Sequence, residues 1–152
     1  MGRVTESPEV TLREITAENL DAVLELEVRE EQRHLVASNA KSIAQAHYAD
    51  AAWFRAIYAG ETPVGFVMLA LDEKGPSDFV WRLMVDASHQ GKGYARQAME
   101  HVIENARRRP NTRSLVLCHQ PADGNAGRFY QALGFAYTGE KLDDELLMKL
   151  EL

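Results

Sequence analysis

The chain has 152 residues, with 23 Asp and Glu against 17 Lys and Arg, a formal net charge of −6. That length is a common size for one compact domain, and the surplus of carboxylates argues against nucleic acid, which is bound through basic patches, while permitting a cationic ligand. No apolar run is long enough to span a bilayer and Met1–Pro8 lacks the apolar centre of a signal peptide, so no membrane association and a cytoplasmic location are expected.

Taken in chain order, apolar periodicity predicts a strand over 9–15, helices over 17–32 and 39–49, and strands over 52–59, 63–72 and 78–86. A helix over 94–108, a strand over 113–119, a helix over 125–133 and strands over 135–140 and 144–150 follow. Gly60-Glu61-Thr62-Pro63 and Glu73-Lys74-Gly75-Pro76 have turn chemistry, so 52–86 reads as an antiparallel meander. The helix at 94–108 then crosses over to a strand parallel to 78–86. The result is a mixed α+β fold in one domain over 1–152, with only the first eight or so residues a candidate for flexibility.

Between the strand at 78–86 and the helix at 94–108 stands Gln90-Gly91-Lys92-Gly93-Tyr94-Ala95. Two glycines there free the backbone and remove Cβ atoms from the path of a ligand. The helix start adds N–H groups without intrahelical partners and the positive end of the dipole, which together suit phosphate oxygens. A nucleotide-triphosphate loop is excluded: no glycine stands at the required position before Gly91, and Gly93 replaces the hydroxyl that should follow Lys92. A dinucleotide-binding turn is disfavoured, because Arg96 fills the third glycine position and the strands upstream read as antiparallel.

Gln90, Gly93 and Ala95 stand in the pattern Arg/Gln-x-x-Gly-x-Gly/Ala. A second segment, Asn125-Ala126-Gly127-Arg128-Phe129-Tyr130-Gln131-Ala132-Leu133-Gly134-Phe135, looks like the signature Asn-x-x-Ala/Gly-x-x-Phe-Tyr-x-x-x-Gly-Phe, whose Phe-Tyr-x-x-x-Gly-Phe end it matches. With both motifs the chain resembles the Gcn5-related N-acetyltransferase family. Leu12-Arg13-Glu14-Ile15-Thr16, Glu30-Glu31-Gln32 and Val36-Ala37-Ser38-Asn39 resemble its polyamine (spermine/spermidine) branch. The resemblance implies a central sheet of about seven strands that parts between 78–86 and 113–119, four flanking helices, acetyl-CoA as cosubstrate, and a homodimer as a common assembly. It assigns the pantetheine arm to the backbone near Leu83, Met84 and Val85, and the diphosphate to Gln90, Gly91, Lys92, Gly93, Tyr94, Ala95 and Arg96. Asn125, Arg128 and Tyr130 complete the cofactor-binding set.

By the same resemblance Tyr130 is the general acid. A thiol with a reference pKa of about 8.5 leaves more readily when a hydroxyl donates to it; the competing structural reading is that Tyr130 packs under the loop and bonds a carbonyl. Asn125 fits both an N-cap of the last helix and a pantetheine contact. An acceptor amine with a pKa of about 10.4 is neutral in fewer than about one molecule in a thousand at pH 7, so a nearby carboxylate would assist attack. On the helix expected over 17–32, Leu20, Val23 and Leu24 mark a buried stripe that Glu27 continues, with Glu30 and Glu31 one turn on. Glu27 is therefore the candidate base, and Glu27, Glu30, Glu31 and Trp81 the candidate amine site. The competing reading makes these carboxylates a solvated helix end and Trp53 and Trp81 core.

Three further features take structural readings. Cys118, the single cysteine, reads as a buried strand residue rather than a nucleophile. Arg107-Arg108-Arg109 reads as a solvated helix end stopped by Pro110, and Asp143-Asp144-Glu145 as a charged turn. His101 and His119 have no metal-ligand spacing, so no metal site is expected. The expected activity is acetyl transfer from acetyl-CoA to a small-molecule amine, a polyamine first, by direct attack in a ternary complex. The other expectations are a different acceptor (aminoglycoside, amino acid, protein N-terminus) or a non-catalytic acyl-CoA sensor.

Overall fold

Seven strands form one sheet in the order β1-β2-β3-β4-β5-β7-β6. The computed structural model describes residues 8–152; most of the stretch expected to be flexible lies outside them. The strands are β1 (Val10–Arg13), β2 (Ala52–Ala59), β3 (Thr62–Ala70), β4 (Ser77–Val85), β5 (Ser114–His119), β6 (Ala136–Leu142) and β7 (Glu145–Glu151). The helices are α1 (Leu20–Leu24), α2 (Asn39–Tyr48), α3 (Tyr94–Arg108) and α4 (Gly124–Ala132). The expected element order is the observed one. Every neighbouring pair is antiparallel except β4 with β5, the pair joined by the α3 crossover.

The sheet separates two apolar layers. On one face Val80, Val85, Leu115, Leu117, Met148 and Leu150 pack with Ala98, Met99, Val102, Ile103 and Ala106 of α3. This is the one-sided stripe that the spacing of α3 demands. On the other face Val23 of α1 and Ala46 of α2 pack on Ala56, Tyr58, Phe66, Met68 and Met84. At the base of the parallel pair Asp78, its side chain only 1% exposed, forms an ion pair with Arg109 just beyond α3 and accepts the Asp72 N–H at 3.0 Å. Arg109 is thus not part of a solvated helix end; only Arg107 and Arg108 are exposed.

The largest departure from expectation lies at 17–32. The α-helix stops at Leu24, and after an irregular stretch a single 3₁₀ turn covers Glu30–Gln32. Hydrogen bonds from outside the segment capture its backbone. The Asp86 carboxylate accepts the Glu27 N–H at 2.9 Å, and the Ala87 N–H donates to the Glu27 carbonyl at 2.7 Å. Both groups are thereby lost to a helical ladder, and the predicted register of Glu27 is lost with them.

Candidate active site

β4 and β5 pair over only three steps, Ser77↔Ser114, Asp78↔Leu115 and Phe79↔Val116, and then part. A bulge assists the parting: Leu69 pairs with Val80 and Met68 with Arg82, so Trp81 is the extra residue of β4. Beyond it, Leu83 pairs with Val67 and Val85 with Gly65, while the Asp86 N–H donates to the Val64 carbonyl at 2.8 Å. The antiparallel alternation therefore turns the amide groups of Leu83 and Val85 away from β3, into the gap. A cleft of about 1300 Å³ runs through this gap, from Gly91 and Gly93 past Leu83 and Cys118 to Tyr130 and Glu145.

At one end of the cleft stands the glycine loop. Gly91 and Gly93 have φ of 79° and 81°, a backbone that glycine adopts freely. A Cβ on Gly91 would meet nothing within 4 Å, and one on Gly93 only the Gln97 side chain at 3.9 Å. Packing therefore does not require these glycines; the path of the chain does, and the space beside it is open to a ligand. The Gln97 N–H donates to the Gly93 carbonyl at 3.1 Å, so the N–H groups of Tyr94, Ala95 and Arg96 precede the α3 ladder and sit at its positive end. Lys92 and Arg96 are exposed beside them, Arg96 sharing its charge with Glu100 at 3.3 Å.

The side chains assigned to cofactor binding divide by what they touch. Gln90 uses its carboxamide internally, donating to the Val85 carbonyl at 3.0 Å and to Gln32 Oε1 at 2.9 Å. Tyr94 and Met84 are buried in the two opposite core layers, which leaves only their backbone for a ligand. Asn125 does not cap α4. Asp123 does, accepting the Ala126 N–H at 3.1 Å, while exposed Asn125 lies in the first turn and accepts from Arg128.

Tyr130 stands on α4 with its ring edge-on to Phe129 and Phe135, centroids 5.0 and 5.6 Å away. Burial pushes its phenol well above the ordinary tyrosine range, and the charge of Asp123 pushes in the same direction. The phenol is thus held protonated, as a donor. Gly134, at φ 105°, ends α4 and turns Phe135 into the core under that ring. The Gly-Phe end of the second motif is in this way the support of its tyrosine.

The acceptor candidates are not gathered as expected. Glu27 is 68% exposed and forms an ion pair with Arg33 at 3.3 Å; it does not continue a buried stripe. Glu30 is exposed, and Glu31 is exposed at the cleft rim. Trp81 does line the cleft, half-buried against the second core layer. Cys118 is half-buried in the cleft wall rather than in the core, because Leu117 beside it takes the core face of β5. Burial, with the charge of Glu145, pushes its thiol up, away from the thiolate form. Asp143 and Asp144 form the expected charged turn, Asp143 at φ 53°, but Glu145 opens β7 and lines the cleft. Arg82 was not foreseen either: half-buried in the cleft wall, it donates to Gln45 Oε1 at 3.0 Å, and its Nε is buried without a partner. A bulge that turns two successive β4 residues to one face leaves little trace in composition. The Glu145 position, by contrast, is readable from the alternation of Leu146, Met148 and Leu150 on β7.

A family model described as "Acetyltransferase (GNAT) family" matches residues 14–135. The chain belongs to the GNAT acetyltransferase family. It is 26% identical over 153 residues to the spermine/spermidine N(1)-acetyltransferase of Bacillus subtilis (strain 168), covering 94% of this chain and 99% of that protein. Among solved structures it is similar to spermidine N-acetyltransferase from Vibrio cholerae in complex with CoA and spermine, with a TM-score of 0.76 at 17% identity, over 93% of this chain and 95% of that one. It is similar also to the ribosomal-protein-S18-alanine N-acetyltransferase of Escherichia coli, with a TM-score of 0.72 at 18% identity, over 94% of each chain. The GNAT fold is thus shared with proteins whose names give different acceptors, and shape alone does not select one. The GNAT membership makes this chain an acetyl-CoA-dependent N-acetyltransferase. Among the described residues no helix is long and apolar enough to cross a membrane.

Proposed function

We propose that the protein moves the acetyl group of acetyl-CoA to a primary amine of a polyamine such as spermine or spermidine, by direct attack in a ternary complex. The observation that carries the reading is the parting of β4 from β5, which turns the peptide group of Leu83 and the N–H of Val85 into the gap, with an open glycine cradle at one end and a protonated Tyr130 at the other. The cradle N–H groups take the diphosphate, the strand edge takes the amides of the pantetheine arm, and Tyr130 gives its proton to the departing sulfur. The raised thiol of Cys118 makes it a poor nucleophile and favours direct transfer over an acyl-enzyme. The net charge of −6 and the similarity to the B. subtilis enzyme support a polycationic acceptor. The protein takes a small-molecule amine as its partner and acts in the cytoplasm, as a homodimer.

Arg82 favours a second reading. A half-buried guanidinium with a free Nε suits an acceptor that carries a carboxylate or carbonyl near its amine, such as an amino acid or a peptide N-terminus. Free-thiol release from acetyl-CoA, measured with spermine, spermidine, putrescine, lysine, an aminoglycoside and a peptide, separates the two. Fast release with polyamines alone is expected; release with the peptide or lysine alone transfers the assignment to the second reading. CoA binding without release for any amine overturns both.

A further inference from the structure

The carboxylates that line the cleft, among the described residues, are Glu31, Asp123 and Glu145. Asp123 is committed to the N-cap of α4, and Glu31 is exposed at the rim. Glu145 alone is both half-buried and free of an ion pair or cap among the described residues.

Its face of the sheet can be fixed from the core layers. Met148 and Leu150 of β7 and Leu117 of β5 belong to the layer under α3. Alternation therefore puts Glu145 and Leu147 of β7, and Cys118 of β5, on the opposite face, with Cys118 paired to Leu147. Arg82 pairs with Met68 of the layer under α1 and α2 and follows Trp81 of that layer, so it shares this opposite face. Tyr130 packs with the α3 layer. The gap between β4 and β5 consequently has a hydroxyl donor on one side and, on the other, a carboxylate flanked by Trp81, Arg82 and Cys118. Glu145, Arg82 and Cys118 all line the cleft, and the charge of Glu145 opposes in part the effect of burial on the Arg82 guanidinium and adds to it on the Cys118 thiol. The turn Asp143-Asp144, closed by the pair Leu142↔Glu145, fixes it there.

We propose that Glu145 is a catalytic residue of the acceptor side, which holds the incoming ammonium and removes its proton. The assignment rests on the acetyl-transfer reading above. The carboxylate takes one proton from R–NH₃⁺ and passes it to water. The nitrogen lone pair then forms the C–N bond to the thioester carbonyl, and the C–S bond breaks with its electrons on sulfur. Tyr130 donates a proton to the sulfur and regains one, through water, from the nitrogen, leaving amide, thiol and one proton released.

The test compares Glu145→Gln with the unaltered protein on two acceptors: spermidine, an ammonium at neutral pH, and a weakly basic primary amine that is already neutral there. The expected result is a fall in kcat/KM of about 10²-fold with spermidine, a fall several times smaller with the weakly basic amine, and an unchanged acetyl-CoA affinity by calorimetry. No loss, or equal loss with both amines, overturns the assignment, since a merely structural role does not distinguish a charged from a neutral acceptor. Should Glu145→Gln fail to fold, Glu145→Asp is read the same way, with a smaller fall confined to spermidine expected. If the unaltered protein releases thiol with neither amine, the small-amine acceptor reading on which the assignment rests is overturned, and the role of Glu145 with it, whereas loss confined to the variant tests Glu145 itself.

Discussion

Gln90 ties the glycine loop to the end of β4, its carboxamide donating to the Val85 carbonyl at 3.0 Å. The motif glutamine therefore does not reach out to phosphate. It fixes the distance between the strand edge that faces the gap and the N–H cradle at the start of α3, and its second bond, to Gln32, adds the 3₁₀ turn Glu30–Gln32 to the same anchor. Two hydrogen bonds of about 0.5–1.5 kcal/mol each are at stake. Gln90→Ala should weaken acetyl-CoA binding by about tenfold in calorimetry while leaving the far-UV spectrum unchanged; an unchanged affinity would remove Gln90 from the cradle.

Tyr130→Phe keeps the edge-on ring packing and removes only the hydroxyl. Turnover should fall by about 10²-fold or more, with acetyl-CoA affinity unaffected, and stopped assays of thiol release measure both. Equal turnover would leave Tyr130 as a packing residue.

The raised pKa of Tyr130 has a sign that can be checked. Its folded value lies above its unfolded value, so the phenol stays protonated in the folded state while the unfolded chain begins to lose that proton near pH 10. Stability from this group is complete below the ordinary tyrosine range and declines as pH rises through it. In a spectrophotometric titration of the folded protein, one of the five tyrosines should titrate above the rest, and Tyr130→Phe should abolish that late component.

Asp78 and Arg109 should respond unequally to substitution. Arg109 is 35% exposed and can turn to water, whereas Asp78, at 1%, cannot. Arg109→Ala strands a buried carboxylate and should cost about 3 kcal/mol in urea unfolding. Asp78→Asn retains an acceptor for the Asp72 N–H and should cost less. The reverse order would mean that the Asp72 contact, rather than the charge pair, holds the base of β4 and β5.

Gly91 tests the cradle without disturbing the core. Space for a Cβ exists, so Gly91→Ala should lose only about 1 kcal/mol, from the left-handed backbone, visible as a few degrees in thermal unfolding. Acetyl-CoA affinity should fall by a larger factor than stability does, because the added methyl stands where the ligand would approach.

The seven strands, α2 to α4, the single parallel pair and the glycine cradle were legible in the sequence, because each depends on contacts near in the chain. These are an apolar face at period two or 3.6, a turn residue with positive φ, and a helix start. That the glycine loop, β4 and Tyr130 line one cleft was legible for the same reason, since they lie in or beside two local motifs. The charged residues of the opposite wall were not. Whether 17–32 continued as a helix depended on Asp86, 59 residues from Glu27, competing for its N–H; local propensity carries no record of that competition. Whether Arg82 and Glu145 came to line the same cleft depended on a bulge at Trp81 and on β7 inserting between β5 and β6. The sequence by itself determined the fold and the glycine loop between β4 and α3. Only the tertiary structure decided which charges line the cleft, because that grouping is made between strands that follow one another in space and not along the chain.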